Sequence, residues 1–138
     1  MAAAAGDTRV LLVEDDDQDA FLFEKMLREE AGAAVITRAV EGRAALETLK
    51  GPDAAHCIVL DLRLAGEDGL WLLDQLLGDA ALARIPVIVF SGDAGRLQRA
   101  CADFPNVVSS IRKPETLEQY RAALAIVTAT LGAAVSRP

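Results

Sequence analysis

The chain has 138 residues, of which 52% are hydrophobic but only 4% aromatic, and it carries a formal charge of -7. That length suits one domain and leaves no room for a second core of useful size. The charge excludes the broad cationic surface needed to grip nucleic-acid phosphates, and the composition points to a core of Val, Ile, Leu and Ala.

Residues 1–8, MAAAAGDT, have no basic flank and no apolar stretch long enough for a signal peptide, so they read as a flexible arm of a cytoplasmic protein with no membrane partner. Residues 9–14 make the first strand, continuously apolar through Val10, Leu11, Leu12 and Val13, as a strand covered on both faces requires. Asp16 or Asp17 then caps a helix on which Ala20, Phe23 and Leu27 fall three and four apart, flanked by Leu22 and Met26; Gly32 ends it. Residues 34–39 form a weaker strand, placed at the sheet edge by Thr37 and Arg38, and residues 41–50 a short helix closed by Gly51 and Pro52. His56 leads a third strand, 56–61, and reads as a strand-edge residue with no companion acid.

The loop 62–68 enters a helix with an inward stripe of Leu70, Leu73 and Leu77 and with Trp71 packing beside it. Residues 85–90 are the fourth strand, with Pro86 tolerable only near its start. Ser91, Gly92 and Asp93 turn the chain into a helix that carries Leu97 and Cys101 and stops at Pro105. Residues 106–112 are the fifth strand, and a final long helix runs from 115 to about 133, ahead of a flexible tail at 135–138. Cys57 and Cys101 lack metal-ligand neighbours and read as small core residues.

Strands alternating with helices of this length imply right-handed crossovers. The expected fold is α/β: a doubly wound, five-stranded parallel sheet over residues 9–134, with flavodoxin-like order 2-1-3-4-5 and helices on both faces. In such a sheet the carboxyl ends of the strands lie side by side, so Glu14, Asp15, Asp61, Ser91 and Lys113 converge. Three carboxylates in one crevice repel each other unless a cation neutralises them, and a hard ion such as magnesium suits oxygen ligands of this kind. An ammonium and a hydroxyl beside them complete the chemistry of phosphoryl transfer onto an aspartate.

The blocks VLLVEDDDQDAF, CIVLDLRLAGEDGLWLL, PVIVFSGD and SIRKPETL resemble, in order and separation, the signatures of the receiver domain of two-component response regulators, the chemotaxis regulator and stand-alone receivers among them. The resemblance implies that Asp61 is the phosphoacceptor and that Glu14 and Asp15 position magnesium, together with Asp61 and the backbone carbonyl of Arg63. It further implies that Ser91 contacts a phosphoryl oxygen and that Lys113 pairs first with the acceptor and later with the phosphoryl group. The donor is then a histidine kinase or histidine phosphotransfer protein, and the output a contact with an unidentified downstream protein.

Two departures bear on how a signal leaves. Ala65 stands where the family usually has proline, and Ser110 where it generally has the Tyr or Phe whose rotation reports phosphorylation; Phe104 or Tyr120 is the available substitute. Arg63 and Asp93 stand at positions that flank the phosphoryl group in the family, and their opposite charges lead us to expect either an ion pair that lengthens the phosphorylated lifetime or two independent solvated charges. Leu117, Tyr120, Leu124, Val127 and Leu131 cover the sheet, while Ile126 and Ala129 widen the apolar surface, from which a homodimer through the last helix is expected. Two other function classes stand beside the signalling role. A phosphatase with an aspartyl intermediate calls for a second aspartate at the Arg63 position, which argues against an enzyme of that kind; a phosphorylation-silent interaction module is the other.

Overall fold

The computed structural model describes residues 8–32, 34–52, 55–64 and 69–136. The five strands are β1 (Arg9–Val13), β2 (Val35–Ala39), β3 (Cys57–Asp61), β4 (Val87–Ser91) and β5 (Val107–Arg112). All pair in parallel, as the alternation implied, and in the expected flavodoxin-like order β2-β1-β3-β4-β5. The helices are α1 (Asp17–Glu30), α2 (Gly42–Leu49), α3 (Gly69–Leu77), α4 (Ala94–Asp103) and α5 (Leu117–Ser136), with a 3₁₀ turn at Leu82–Arg84.

Alternation along each strand divides the core into two layers. Leu11, Val13, Ile58, Leu60, Val87 and Val89 face α2, α3 and α4. Val10, Leu12, Cys57, Val59, Ile88 and Phe90 face α1 and α5. The central strands β1, β3 and β4 are buried on both faces apart from the half-buried Arg9, which is why they read as unbroken apolar runs. The edge strand β5 instead alternates half-buried and exposed residues. Each fully buried Leu or Val contributes on the order of 1.5–3 kcal/mol of hydrophobic stabilisation.

Several expectations shift in detail. Burial on α3 falls on Leu72, Leu73 and Leu76, with Leu70 and Leu77 half-buried; its leucine-rich run supports more than one stripe, and packing selects the one facing Ala45 and Leu60. On α5 the sheet takes Ala123, Leu124, Val127 and Leu131, while Leu117, on the first turn, is exposed. Cys57 is buried but Cys101 is exposed on α4. Ile85 follows the 3₁₀ turn, so β4 begins at Val87, after Pro86.

Of the expected arm, Thr8 is described, and its carbonyl accepts from Val35 N at 2.7 Å; residues 1–7 lie outside the described residues. Helix α5 continues through Ser136, into the expected tail. Among the described residues no helix is long and apolar enough to cross a membrane.

One glycine holds the sheet to the helix beneath the site. A Cβ on Gly69 would lie 2.8 Å from Leu62 Cα and 3.0 Å from Asp61 O, so only glycine lets α3 start this close to the end of β3.

Candidate functional site

Hydrogen bonds carry the ladder one residue past the strands. Glu14 N donates to Ala39 O, Leu62 N to Phe90 O and Lys113 N to Ser91 O, each at 3.0 Å. The backbone therefore stays sheet-like at the point where side chains change from apolar to polar. In this way β1 leads into Glu14, β3 ends in Asp61, β4 ends in Ser91 and β5 leads into Lys113, all at the carboxyl edge of the sheet.

Glu14, Asp61 and Ser91 are buried, a costly setting for two carboxylates unless they are paired. Lys113 supplies the pairing: its Nζ lies 3.2 Å from Glu14 Oε1, 3.1 Å from Asp61 Oδ2 and 2.9 Å from Asp19 Oδ2. The second oxygens are also occupied, Asp61 Oδ1 accepting from Arg63 N at 2.9 Å and Glu14 Oε2 from Asp16 N at 3.2 Å. Both carboxylates are thus oriented from two sides.

Glu14, Asp15 and Asp61 can each offer one carboxylate oxygen within 4.8 Å of the others. Oxygens around a single octahedral magnesium lie within about 4.2 Å of each other, so this set stands close to the spacing that one ion requires. The donor set fits a hard divalent cation. The electrostatics agree, because burial and then the Asp61 charge push the Glu14 pKa up to about 7 despite Lys113. Burial disfavours the Lys113 ammonium, but its hydrogen bond to Asp19 and the charges of Asp61 and Glu14 outweigh this and raise its pKa above the ordinary lysine value. One ammonium leaves the pocket short of positive charge.

The Ser91 hydroxyl accepts from Asp93 N at 3.0 Å, which fixes its oxygen at the end of β4. The Asp93 side chain is committed elsewhere than expected. It caps α4, accepting from Gly95 N at 2.9 Å and Arg96 N at 3.2 Å, and its other oxygen is 3.7 Å from Arg96 Nε. The backbone N–H of Arg96, then that of Gly95 and the Arg96 charge, hold its carboxyl below the usual aspartate value. The cation paired with Asp93 is therefore Arg96, not Arg63, whose side chain is exposed. Arg96 Nη1 also donates to Leu62 O at 3.1 Å, tying α4 to the loop after Asp61.

Sequence reasoning missed Asp19, Arg38 and Arg96. Asp16 is the helix cap, accepting from Asp19 N at 2.9 Å, and this first turn presents Asp19 to Lys113. Arg38 reads in sequence as an edge-strand residue, but its Nε donates to Glu14 O and its Nη1 pairs with Asp17, both at 2.9 Å, so it pins the acidic turn. For Arg96 a signal was available, its position three residues beyond the capping Asp93.

Ser110 is exposed on β5, in register with Val89, while Phe104 and Tyr120 are half-buried against opposite faces of the sheet. Tyr120 lines a cavity of about 50 Å³ together with Glu14, Asp19, Asp61, Phe90 and Lys113. Burial, followed by the Asp19 charge, raises its phenol pKa above the ordinary value. Ala65 lies outside the described residues.

A family model for the response regulator receiver domain matches residues 10–125. The chain is 30% identical over 119 residues to the probable methanogenesis regulatory protein FilR2 of Methanothrix harundinacea (strain 6Ac), covering 81% of this chain and 76% of that protein. Its fold is similar to that of the phosphorylated cyanobacterial phytochrome response regulator RcpA, with a TM-score of 0.77 and 25% identity over 91% of this chain and 95% of that one. It is also similar to the receiver domain of sensor histidine kinase PA1611 from Pseudomonas aeruginosa PAO1, a structure with magnesium coordinated in its active-site cleft; the TM-score is 0.75, with 22% identity over 91% of this chain and 98% of that one. The family match runs from the strand that leads into Glu14 into the helix that follows Lys113, and by it the chain belongs to the response regulator receiver domain family.

Proposed function

We propose that residues 9–134 form a phosphoacceptor signalling unit in which Asp61 takes a phosphoryl group from a phosphohistidine on a histidine kinase or histidine phosphotransfer protein. An Asp61 oxygen forms the new bond to phosphorus, the phosphorus–nitrogen bond breaks, and its electron pair stays with the departing imidazole, which takes up a proton. The product is an acyl phosphate. The observation that carries this reading is the position of Lys113 Nζ, 3.1 Å from Asp61 and 3.2 Å from Glu14 in a buried acidic pocket.

Glu14, Asp15, Asp61 and the Arg63 carbonyl would hold Mg²⁺, which when bound supplies charge neutralisation at the phosphoryl oxygens. Arg63 N already orients Asp61 by donating to Oδ1, leaving Oδ2 on the Lys113 side. Lys113 pairs with the charge that accumulates on the phosphoryl group, and the Ser91 hydroxyl donates to one of its oxygens. The unit catalyses only its own phosphorylation and dephosphorylation.

Its place of work is the cytoplasm, where phosphohistidine donors of this class act, and its output is a protein contact. With Ser110 small and exposed, that output does not use a rotating aromatic at this position. A homodimer through α5, where Leu117 and Ile126 are exposed, is part of the same reading; a mass independent of concentration, with and without phosphorylation, would remove it.

The test is incubation with magnesium and acetyl phosphate or phosphoramidate, followed by intact mass of wild type and Asp61→Asn. A single phosphoryl adduct in wild type, absent from the variant, is the expected result. Absence of any adduct in wild type would mark a phosphorylation-silent interaction module, and sustained release of phosphate from simple phosphoesters a hydrolase.

A further inference from the structure

Lys113 has more anionic partners than the proposed reaction needs. An ammonium has three N–H donors. Here they meet three carboxylates, Glu14, Asp61 and Asp19, at 3.2, 3.1 and 2.9 Å. Phosphorylation of Asp61 would bring further acceptor oxygens to an ammonium whose three donors are already engaged.

The three partners are not equivalent. The Glu14 and Asp61 side chains are 8% and 6% exposed, whereas that of Asp19 is 46% exposed. A buried carboxylate released from its cation is left without water, but an exposed one is rehydrated at once. Asp19 is therefore the partner that Lys113 gives up most readily. It also sits on the first turn of α1, outside the strands that build the rest of the pocket.

We propose that Asp19 is a positioning residue for phosphoryl acceptance: it occupies the Lys113 N–H that an incoming phosphoryl group must take, and so weakens the hold of the site on that group. The inference rests on the phosphoacceptor reading above. It follows that Asp19→Asn, which keeps the shape and removes the charge, leaves Lys113 anchored by Glu14 and Asp61 and freer to turn to a phosphoryl oxygen. Charge-assisted contacts at a half-exposed position set the scale, so the site should bind a phosphoryl mimic about three- to tenfold more tightly.

The experiment titrates fluoroberyllate into wild type, Asp19→Asn, Asp19→Glu and Asp17→Asn by calorimetry at saturating magnesium. Asp17 is the control: it lies on the same helical turn and loses the same charge, but its carboxylate faces Arg38 and not Lys113. Tighter binding by Asp19→Asn alone, with Asp19→Glu staying near wild type, is the expected pattern. An equal gain in Asp17→Asn would reduce the effect to net charge and overturn the proposal, as would an unchanged affinity in Asp19→Asn. Intact mass after acetyl phosphate treatment separates this from failure of the underlying reading: a wild type that takes up no phosphoryl group rejects the phosphoacceptor function itself.

Discussion

Replacing Glu14 with glutamine separates the charge of the pocket from its shape. Burial together with the Asp61 charge lifts the Glu14 pKa from 4.5 to about 7. A carboxyl whose folded pKa exceeds its unfolded value binds more protons in the folded state between the two. Its stabilising contribution is therefore present in full below pH 4.5 and lost as the pH rises through 7. Between about pH 5.5 and 8, this linkage removes about 2 kcal/mol from the unfolding free energy when no divalent cation is supplied. The glutamine amide of Glu14→Gln has no proton to lose in this range. Urea unfolding of both proteins in chelator, taken as a difference at each pH, cancels the titrating groups that do not interact with Glu14 and isolates Glu14 together with its coupling to Asp61 and Lys113. The variant should gain on wild type by about 2 kcal/mol across that range. Magnesium at pH 8 should then restore wild type but not the variant, by about 2.7 kcal/mol at a hundredfold excess over Kd. Parallel pH slopes for the two proteins would refute the claim that Glu14 is held in a pocket short of positive charge.

Other outcomes follow from the same structure. Gly69→Ala forces a methyl group to within 2.8 Å of Leu62 Cα and should cost about 1–3 kcal/mol by chemical denaturation, with a loss of magnesium affinity because Asp61 O is also in the way. Leu124→Ala removes a fully buried side chain between α5 and the sheet, and a loss of about 2–5 kcal/mol in the same assay is expected without a change in magnesium affinity. A thiol reagent should label exposed Cys101 in the native protein, and Cys57 only on unfolding, since burial excludes reagent and pushes its thiol pKa up to about 12.

The strands were legible because Val10 to Val13, Cys57 to Leu60 and Val87 to Phe90 are apolar without interruption, as strands covered on both faces are, and each run is bounded by polar or turn-forming residues. The strand–helix alternation implied a parallel sheet, and the flavodoxin-like order expected for it brings the strand ends that carry Glu14, Asp61, Ser91 and Lys113 to one edge. Periodicity failed where it was degenerate. The leucines of α3 support several stripes, and only packing against α2 and the sheet selects Leu72, Leu73 and Leu76. Partners of half-buried charges were the other gap: Lys113 finds Asp19 across 94 positions and Arg96 finds Leu62 across 34, distances at which local spacing carries no information. The Arg63 to Asp93 pairing went wrong for the opposite reason, because a local cap and a neighbour three residues away claimed Asp93 first.

The central claim is that the acids gathered at the sheet edge make one residue, Asp61, the phosphoryl acceptor. Borohydride reduction of the protein phosphorylated with acetyl phosphate and magnesium converts the acyl phosphate to a stable alcohol, whose position peptide sequencing then reads. The account predicts a single modified residue at position 61. Modification at Asp15 or Asp19 with Asp61 intact would contradict it.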